Sequence, residues 1–447
     1  MSYEPVIGLE IHIELATKSK MFCSCSADYF NKDPNTHVCP VCLGLPGAMP
    51  VANELAIKLT HLIGLALNCS LPLSSKFDRK NYFYPDLAKG FQISQYDLPF
   101  TQKGSIEISI NGQNKNIGIT RAHLEEDTGK LLHSKVNDKN VTLIDFNRSG
   151  VPLIEIVSEP DIKSSEEAKA YAQKIQQIVR YIGASDADME KGSMRIEPNV
   201  SLRKVSKGQA SSVRELPSYK VELKNINSFK FAAAAIEYEI KRQSELLDKG
   251  ETPAQETRGW NETKNQTVSQ RSKEEAHDYR YFPEPDLPPF VFNQDYLLEL
   301  KKELPDLPDQ KLKSFKDLGL SDYDAEILSR SKDLAVYAMG AIKAGEKAGI
   351  TAKKIANEII NKKPDINNIL PAKLVAKIYQ SAQTSDLSDD ELTKAVEEVL
   401  NENPKAVTDF KGGKENAFMF LTGQVMKKLG KKAESSRVRK ILIEKLK

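Results

Sequence analysis

Period-two alternation runs through the first 290 residues of this chain and then fades, and that switch restricts the fold more than any other feature. In VIGLEIHIEL, residues 6–15, Ile7, Leu9, Ile11, Ile13 and Leu15 share one face of a strand. Gly8, Glu10, His12 and Glu14 share the other. GSIEISING and VTLIDFN alternate in the same way. Two helical patterns interrupt these strands. In SSEEAKAYAQKIQQIVRYIG, Ser164 and Glu167 have capping-box spacing, and Ala168, Tyr171, Ala172, Ile175, Ile178, Val179 and Ile182 form one stripe. Gly183 supplies the stop. A second helix is expected from about Phe229 to Asp248, ending near Gly250.

From about Asn293 short helices rich in Lys, Ala and Ile take over. ENAFMFLTGQVMKKLG carries Phe418, Leu421, Val425 and Leu429 at helical spacing, with Gly430 as its stop. ESSRVRKILIEKLK carries Val438, Ile441, Leu442 and Leu446. Strands followed by helices predict an α+β chain. The expected domains are 1–292, 293–405 and 406–447. The proline-rich YFPEPDLPPF closes the first of them, with more aromatic and acidic residues than a linker needs.

The 447 residues are 40% hydrophobic and 28% charged, the balance of a folded protein. No apolar run is long enough for a bilayer, so no membrane partner is expected. The sequence begins directly with a strand pattern, so no signal peptide is expected. Five cysteines without such a signal suggest a reducing compartment, the cytoplasm. The net charge is only +2, but residues 406–447 hold eleven Lys/Arg against four Asp/Glu. That basic end fits either a solvated helix face or contact with a phosphate backbone.

Cys23, Cys25, Cys39 and Cys42 fall in two close pairs within the loop 23–42. Four thiolates so spaced suit a tetrahedral Zn²⁺ with no open position, a structural site. Two disulfides are the alternative pattern, disfavoured in a reducing compartment. Cys69 stands alone and reads as a small core residue.

Several strands carry charge on one face. RAHLEEDTGKL gathers His123, Glu125, Glu126, Asp127 and Lys130. In DFNRSGVPLIEIVSEPD, Glu155 lies between apolar neighbours, which is costly unless a cation faces it. GSMRIEPNVSLR puts Ser193, Arg195, Glu197, Asn199 and Ser201 on one face, and VELKNINSFKF adds Glu222 and Lys224. One polar face is ordinary solvation. Five suit a sheet that cradles a metal-bound, multiply charged substrate such as Mg²⁺-ATP. No Walker sequence is present, since GAIKAGEK has Glu346 where the lysine belongs. ATP would therefore bind on a sheet, through metal and arginine.

These motifs resemble one family, the B subunit of the aspartyl/glutamyl-tRNA amidotransferase (GatB/GatE). The matching words are VIGLEIHIEL, FCSC…CPVCLGLPGAMPVAN, KFDRKNYFYPDLAKGFQISQYD, HLEEDTGKL, DFNRSGVPLIEIVSEPD, GSMRIEPNVSLR, ELKNINSFKF and RSKEEAHDYRYFPEPDLPP. They cover most of residues 3–290 in family order, and FLTGQVMKK is similar to the family's tail domain. Ala88 departs from the common PDLPKG, which affects a turn.

The resemblance implies a glutamine-synthetase-like cradle with a mostly antiparallel sheet, then a helical domain and a small helical tail that grip tRNA. It implies a carbon–nitrogen ligase with glutamine as amido donor. The side-chain carboxylate of Glu-tRNA(Gln) or Asp-tRNA(Asn) is phosphorylated by Mg²⁺-ATP, and ammonia then replaces the phosphate. An amidase (A) subunit would deliver the ammonia and a small C subunit would complete a heterotrimer. Glu10, His12, Glu125 and Glu155 are the implied catalytic and Mg²⁺-binding residues. Arg79 and Lys80 are implied at the phosphates, with Tyr82 and Tyr84 stacking or packing. Arg148, Ser193 and Arg195 are implied at substrate or phosphate, and Asp278, Arg280 and Glu284 at the site or an interface. Two other readings share parts of this pattern: an ATP-dependent ligase on a free small carboxylate, and a non-catalytic zinc-containing tRNA-binding protein.

Overall fold

The computed structural model describes residues 2–205, 215–272, 279–383, 388–429 and 435–446. The chain forms two compact units, Met1–Pro308 and Asp309–Lys447. The first opens with β1 (Ser2–Glu14), α1 (Glu54–Ala66), β2 (Ser74–Ser75), β3 (Asp78–Asn81) and β4 (Phe91–Ser94). Two long hairpins follow: β5 (Thr101–Ile110) with β6 (Gln113–Glu126), and β7 (Lys130–Val136) with β8 (Lys139–Asp145). Next come β9 (Pro152–Ser158), α2 (Ser165–Ile182), β10 (Met194–Val205), β11 (Val221–Lys224) and α3 (Phe229–Asp248). The unit finishes with β12 (Glu256–Asn261), β13 (Gln266–Ser272), β14 (Phe282–Pro283), β15 (Phe290–Val291) and α4 (Gln294–Glu303).

Eight strands make one sheet in the order β13-β12-β11-β10-β1-β9-β6-β5. Every neighbouring pair is antiparallel except β11–β12, where α3 supplies the crossover that a parallel pair needs. The apolar face of β1 is fully used: Ile7, Leu9, Ile11 and Ile13 are at most 1% exposed. They share one core with Ile63 of α1, Tyr171, Ile175 and Val179 of α2, and Ala235 and Ile236 of α3. Each such side chain contributes about 1.5–3 kcal/mol. The helices thus stabilise one face, and the other is left to polar residues.

The two expected helices form where the periodicity placed them. The Ser164 hydroxyl accepts from Glu167 N at 3.1 Å. The reciprocal half of the box shifts by one residue, because the Glu167 carboxylate takes Lys163 N at 2.7 Å and Lys115 Nζ at 2.6 Å. Gly183 ends α2 at φ +77°, a left-handed conformation that glycine adopts without a Cβ clash. YFPEPDLPPF is woven into the unit, since β14 pairs with β3 and β15 with β2. Cys69 is buried in the core, as its sequence context suggested.

The second unit is helical: α5 (Pro308–Asp317), α6 (Asp322–Leu328), α7 (Lys332–Glu346), α8 (Ala352–Lys362), α9 (Pro371–Gln383), α10 (Asp389–Glu402), α11 (Pro404–Lys411), α12 (Glu415–Lys428) and α13 (Ser435–Leu446). GAIKAGEK lies in α7, where a Cβ on Gly345 would come within 2.2 Å of Ile355 Cδ1. That glycine serves close packing of α7 on α8 and not a phosphate. Leu392, Val396 and Val399 of α10 share a core with Leu421 and Val425 of α12 and Val438, Leu442 and Leu446 of α13. A division at 405 cuts through this core. Gly430 lies outside the described residues. Among the described residues no helix is long and apolar enough to cross a membrane.

Candidate active site and metal centre

The five charge-bearing strands are consecutive in the sheet, as β11-β10-β1-β9-β6. Register then decides which groups meet. His12 lies opposite Glu155 on one side and Arg195 on the other, and His123 lies opposite Glu155. Two imidazoles and two carboxylates consequently form a square. His12 Nε2 is 3.5 Å from Glu155 Oε2 and 3.8 Å from Glu125 Oε1. His123 Nε2 is 3.3 Å from Glu155 Oε2 and 3.8 Å from Glu125 Oε2. Ligand atoms of His12, Glu125 and Glu155 lie within 4.8 Å of one another, a spacing that one cation can span.

The electrostatics are those of a site built around positive charge. Burial pushes the His12 imidazole down, but Glu155, Glu197 and Glu125 reverse this and hold it at about 9. Burial pushes Glu155 up, but His123 and His12 pull it well below the usual carboxylate range. The Ser94 hydroxyl donates to Glu125 Oε2 at 3.2 Å. Arg121 Nε donates to His123 Nδ1 at 3.3 Å, which leaves the Nε2–H of His123 facing the carboxylates. His12 Nδ1 is buried and has no hydrogen-bond partner among the described residues.

Glu10 belongs to a different group. It joins Glu197 of β10 and Glu222 of β11, whose carboxylate oxygens also lie within 4.8 Å of one another. Lys224 Nζ sits 3.0 Å from Glu197 and 3.3 Å from Glu222, and Asn199 Nδ2 donates to Glu10 at 3.0 Å. Burial, with Glu155 and Glu197 beside it, raises the Glu10 pKa. The structure therefore brings together three of the four residues expected at one cation. The fourth is two residues back along the strand, about 7 Å away on the same face. His123, Glu197 and Glu222 were not assigned to the site from sequence, although alternation had put Glu197 and Glu222 on polar faces.

The remaining expected residues separate into two classes. Lys80 lies over the Tyr279 ring at 4.9 Å and the Tyr82 ring at 6.0 Å. Burial disfavours its ammonium, but Glu125, Tyr281 and Glu155 outweigh that and raise its pKa. Tyr84 is exposed. Arg195 Nη2 meets Asp127 Oδ2 at 2.6 Å, and Arg148 Nε lies 3.7 Å from the same oxygen. Against burial, the two guanidinium groups hold Asp127 at about 2. Arg148 also donates to the carbonyls of Thr128 and Gly129 at 3.0 and 2.8 Å.

Two expected contacts are taken up locally instead. Arg79 is clamped by Glu284 at 2.7 and 2.9 Å and approached by Asp286 at 3.3 Å, and it stacks over Phe91. Glu284 thus holds Arg79. The Ser193 hydroxyl donates to Asp186 at 2.5 Å and accepts from Asp188 N at 2.8 Å, which fixes a turn. The Arg280 carbonyl accepts from Asn81 Nδ2 at 2.9 Å. Asp278 lies outside the described residues.

The four sulfurs of Cys23, Cys25, Cys39 and Cys42 fall within 4.8 Å of one another, and none is in a disulfide. Soft thiolates at that spacing fit a Zn²⁺-like ion. The loop that carries them is tied to the sheet. Tyr29 OH donates to Glu14 at 2.8 Å, His37 N donates to Asn147 Oδ1 at 2.8 Å, and Asn147 Nδ2 donates to Asp33 O at 2.7 Å.

Known proteins match this chain over most of its length. Residues 5–298 match the GatB/GatE catalytic domain, and residues 329–446 match the GatB domain. The chain is 44% identical to the B subunit of the aspartyl/glutamyl-tRNA(Asn/Gln) amidotransferase of Caldicellulosiruptor saccharolyticus, covering 100% of this chain and 99% of the relative. It is 45% identical to the protein of the same name from Thermodesulfovibrio yellowstonii, with 100% of both chains covered. The relative from Dehalococcoides mccartyi strain 195 is 44% identical over 95% of each chain. With a family match over more than half its length and relatives aligned end to end, the chain belongs to the GatB/GatE family.

Proposed function

We propose that this chain is the tRNA-activating component of a glutamine-dependent amidotransferase, acting on Glu-tRNA(Gln), Asp-tRNA(Asn) or both. The convergence of His12, Glu125 and Glu155 on one sheet face carries the reading. A carboxylate is a poor acyl donor, so its conversion needs a better leaving group. A side-chain carboxylate oxygen of the misacylated tRNA attacks the γ-phosphorus of ATP, forming an acyl phosphate and ADP. Ammonia then attacks the carbonyl carbon, and inorganic phosphate leaves.

Glu125, Glu155 and His12, the last after giving up its proton, would hold Mg²⁺, which would supply positive charge to the phosphates of ATP. Lys80, facing Glu125 and Glu155 from among the tyrosines, is placed to neutralise charge on the transferring phosphoryl group. Arg195 and Arg148 hold Asp127 at the next row of the sheet and shape that wall. Glu10, with Glu197 and Glu222, extends the acidic wall along β1, where Lys224 balances it. Arg79 acts by holding β3 to the Glu284 segment.

The relatives are named as one component of a larger enzyme, which implies partner subunits. An amidase (A) subunit would release ammonia from glutamine, and a small C subunit would complete a cytoplasmic heterotrimer. Zinc on the four cysteines would be structural. The helical unit, residues Asp309–Lys447, would grip tRNA.

Phosphate release from γ-labelled ATP by the assembled complex tests the proposal. It should depend on misacylated tRNA and not on free glutamate. Glu155→Gln and Glu125→Gln should each lower it by at least about 100-fold, with tRNA binding kept. Full activity in Glu155→Gln, or turnover with free glutamate alone, would overturn it.

A further inference from the structure

Lys20 is 1% exposed, and its ammonium forms no ion pair with any carboxylate of the described residues. Of the Glu126 carboxylate, Oε1 meets Lys89 and accepts from Ile93 N, and Oε2 forms no ion pair with Lys20. An unpaired buried ammonium is costly, so something must balance it. Lys20 Nζ donates to Cys42 Sγ at 3.5 Å and to Phe146 O at 3.4 Å. A neutral thiol is a weak acceptor and supplies no charge. Four thiolates on one divalent cation leave a net charge of −2, which an adjacent ammonium would halve. Lys20 also touches the other cysteine pair, because its backbone N donates to Cys25 O at 2.9 Å.

The surroundings are shaped for this contact. Met21 N donates to Gly150 O at 2.6 Å. Gly150 has φ +86°, and a Cβ there would lie 3.4 Å from Cys42 Cβ and 3.5 Å from Lys20 Cδ. Those are ordinary van der Waals distances, so it is the left-handed backbone of Gly150 that shapes the turn on which the lysine stem and Cys42 both pack. That turn begins at Phe146, the second acceptor of Lys20, and carries Arg148 to Asp127.

We propose that Lys20 is the buried counter-charge of the four-cysteine metal centre and a positioning residue that joins it to the Phe146–Gly150 turn. The proposal rests on metal binding by Cys23, Cys25, Cys39 and Cys42. Its role is electrostatic, so charge and not bulk decides the effect of substitution.

The test uses full-length protein purified without chelator. Zinc content is measured first, and then the rate of zinc release to an excess of a chromophoric chelator. Lys20→Met and Lys20→Gln should release zinc about 10–100-fold faster than the parent, the range for loss of a partner just outside the ligands. Lys20→Arg should stay within about threefold of the parent. Parent-like release in Lys20→Met overturns the inference, and so does release from Lys20→Arg as fast as from Lys20→Met, which would mean packing. If Lys20→Met does not fold, the comparison of Lys20→Gln with Lys20→Arg decides. Absence of stoichiometric zinc in the parent would sink the metal reading itself, a result distinct from equal retention in all variants.

Discussion

Ending the chain after Pro404 and ending it after residue 387 should give proteins with different defects. The longer fragment keeps α10 but loses α12 and α13, against which Leu392, Val396 and Val399 are at most 1% exposed. Three such side chains contribute roughly 5–9 kcal/mol at about 1.5–3 kcal/mol each. A 14-residue helix without that support is marginal in water. Residues 388–404 should therefore unfold in the longer fragment and become sensitive to trypsin and fast in hydrogen exchange. The shorter fragment lacks that apolar stretch. Both should lose tRNA affinity, because both lack the basic residues of 406–447.

The size of that loss is bounded by the structure. Of the eleven Lys/Arg after 405, Lys414, Lys428, Arg437 and Lys445 already meet carboxylates, the last three on α10. At most seven of the eleven are then left for phosphates, so the slope of log K against log salt should fall by roughly 5–6 at most. Fluorescence anisotropy with labelled tRNA at several salt concentrations measures this. Full protection of 388–404 in the longer fragment, or unchanged tRNA affinity in either, would refute the reasoning.

Three further outcomes are expected. Arg195→Met should cost about 3–5 kcal/mol, since it leaves the buried Asp127 with the longer Arg148 ion pair and the hydrogen bond from Thr128 N. Adding Asp127→Asn should recover most of that, as read by thermal melts of both variants. His61 is packed edge-on against Phe100 and Phe292, and burial holds its pKa at about 4. The unfolded chain takes up that proton near pH 6.5, so stability is complete above 6.5 and falls by about 3 kcal/mol as pH drops to 4. Denaturant melts across that window should show the fall, and His61→Phe should flatten it. Dialysis against a strong chelator should strip zinc and loosen the 145–150 segment, because Asn35 and His37 of the cysteine loop hold Asp145 and Asn147; unchanged hydrogen exchange there would contradict this.

Alternation made the acidic wall legible, since the five marked strands are adjacent and their charged faces coincide. Strand order was not legible, and it alone decides partners. Glu10 meets Glu197 because β10 borders β1, and His12 meets Glu155 because β9 borders it on the other side. Arg79 looked available for phosphate because its partner Glu284 lies 205 residues away. Ser193 and Arg195 alternate onto one face, yet Ser193 stands just before β10 and bonds within its own turn. Helices were easier, because periodicity and caps such as Ser164 and Gly183 are local.

The position of β1 also bears on biosynthesis. β1 is made before both of its flanking partners, which are complete only when residues 152–158 and 194–205 have followed. At about 5–20 residues per second, its hydrogen-bonding edges stay unsatisfied for roughly 10–40 s. A nascent chain stalled before residue 194 would present an apolar template to its neighbours on the same message. The strand at the middle of the acidic wall thus also needs shelter by chaperones during translation.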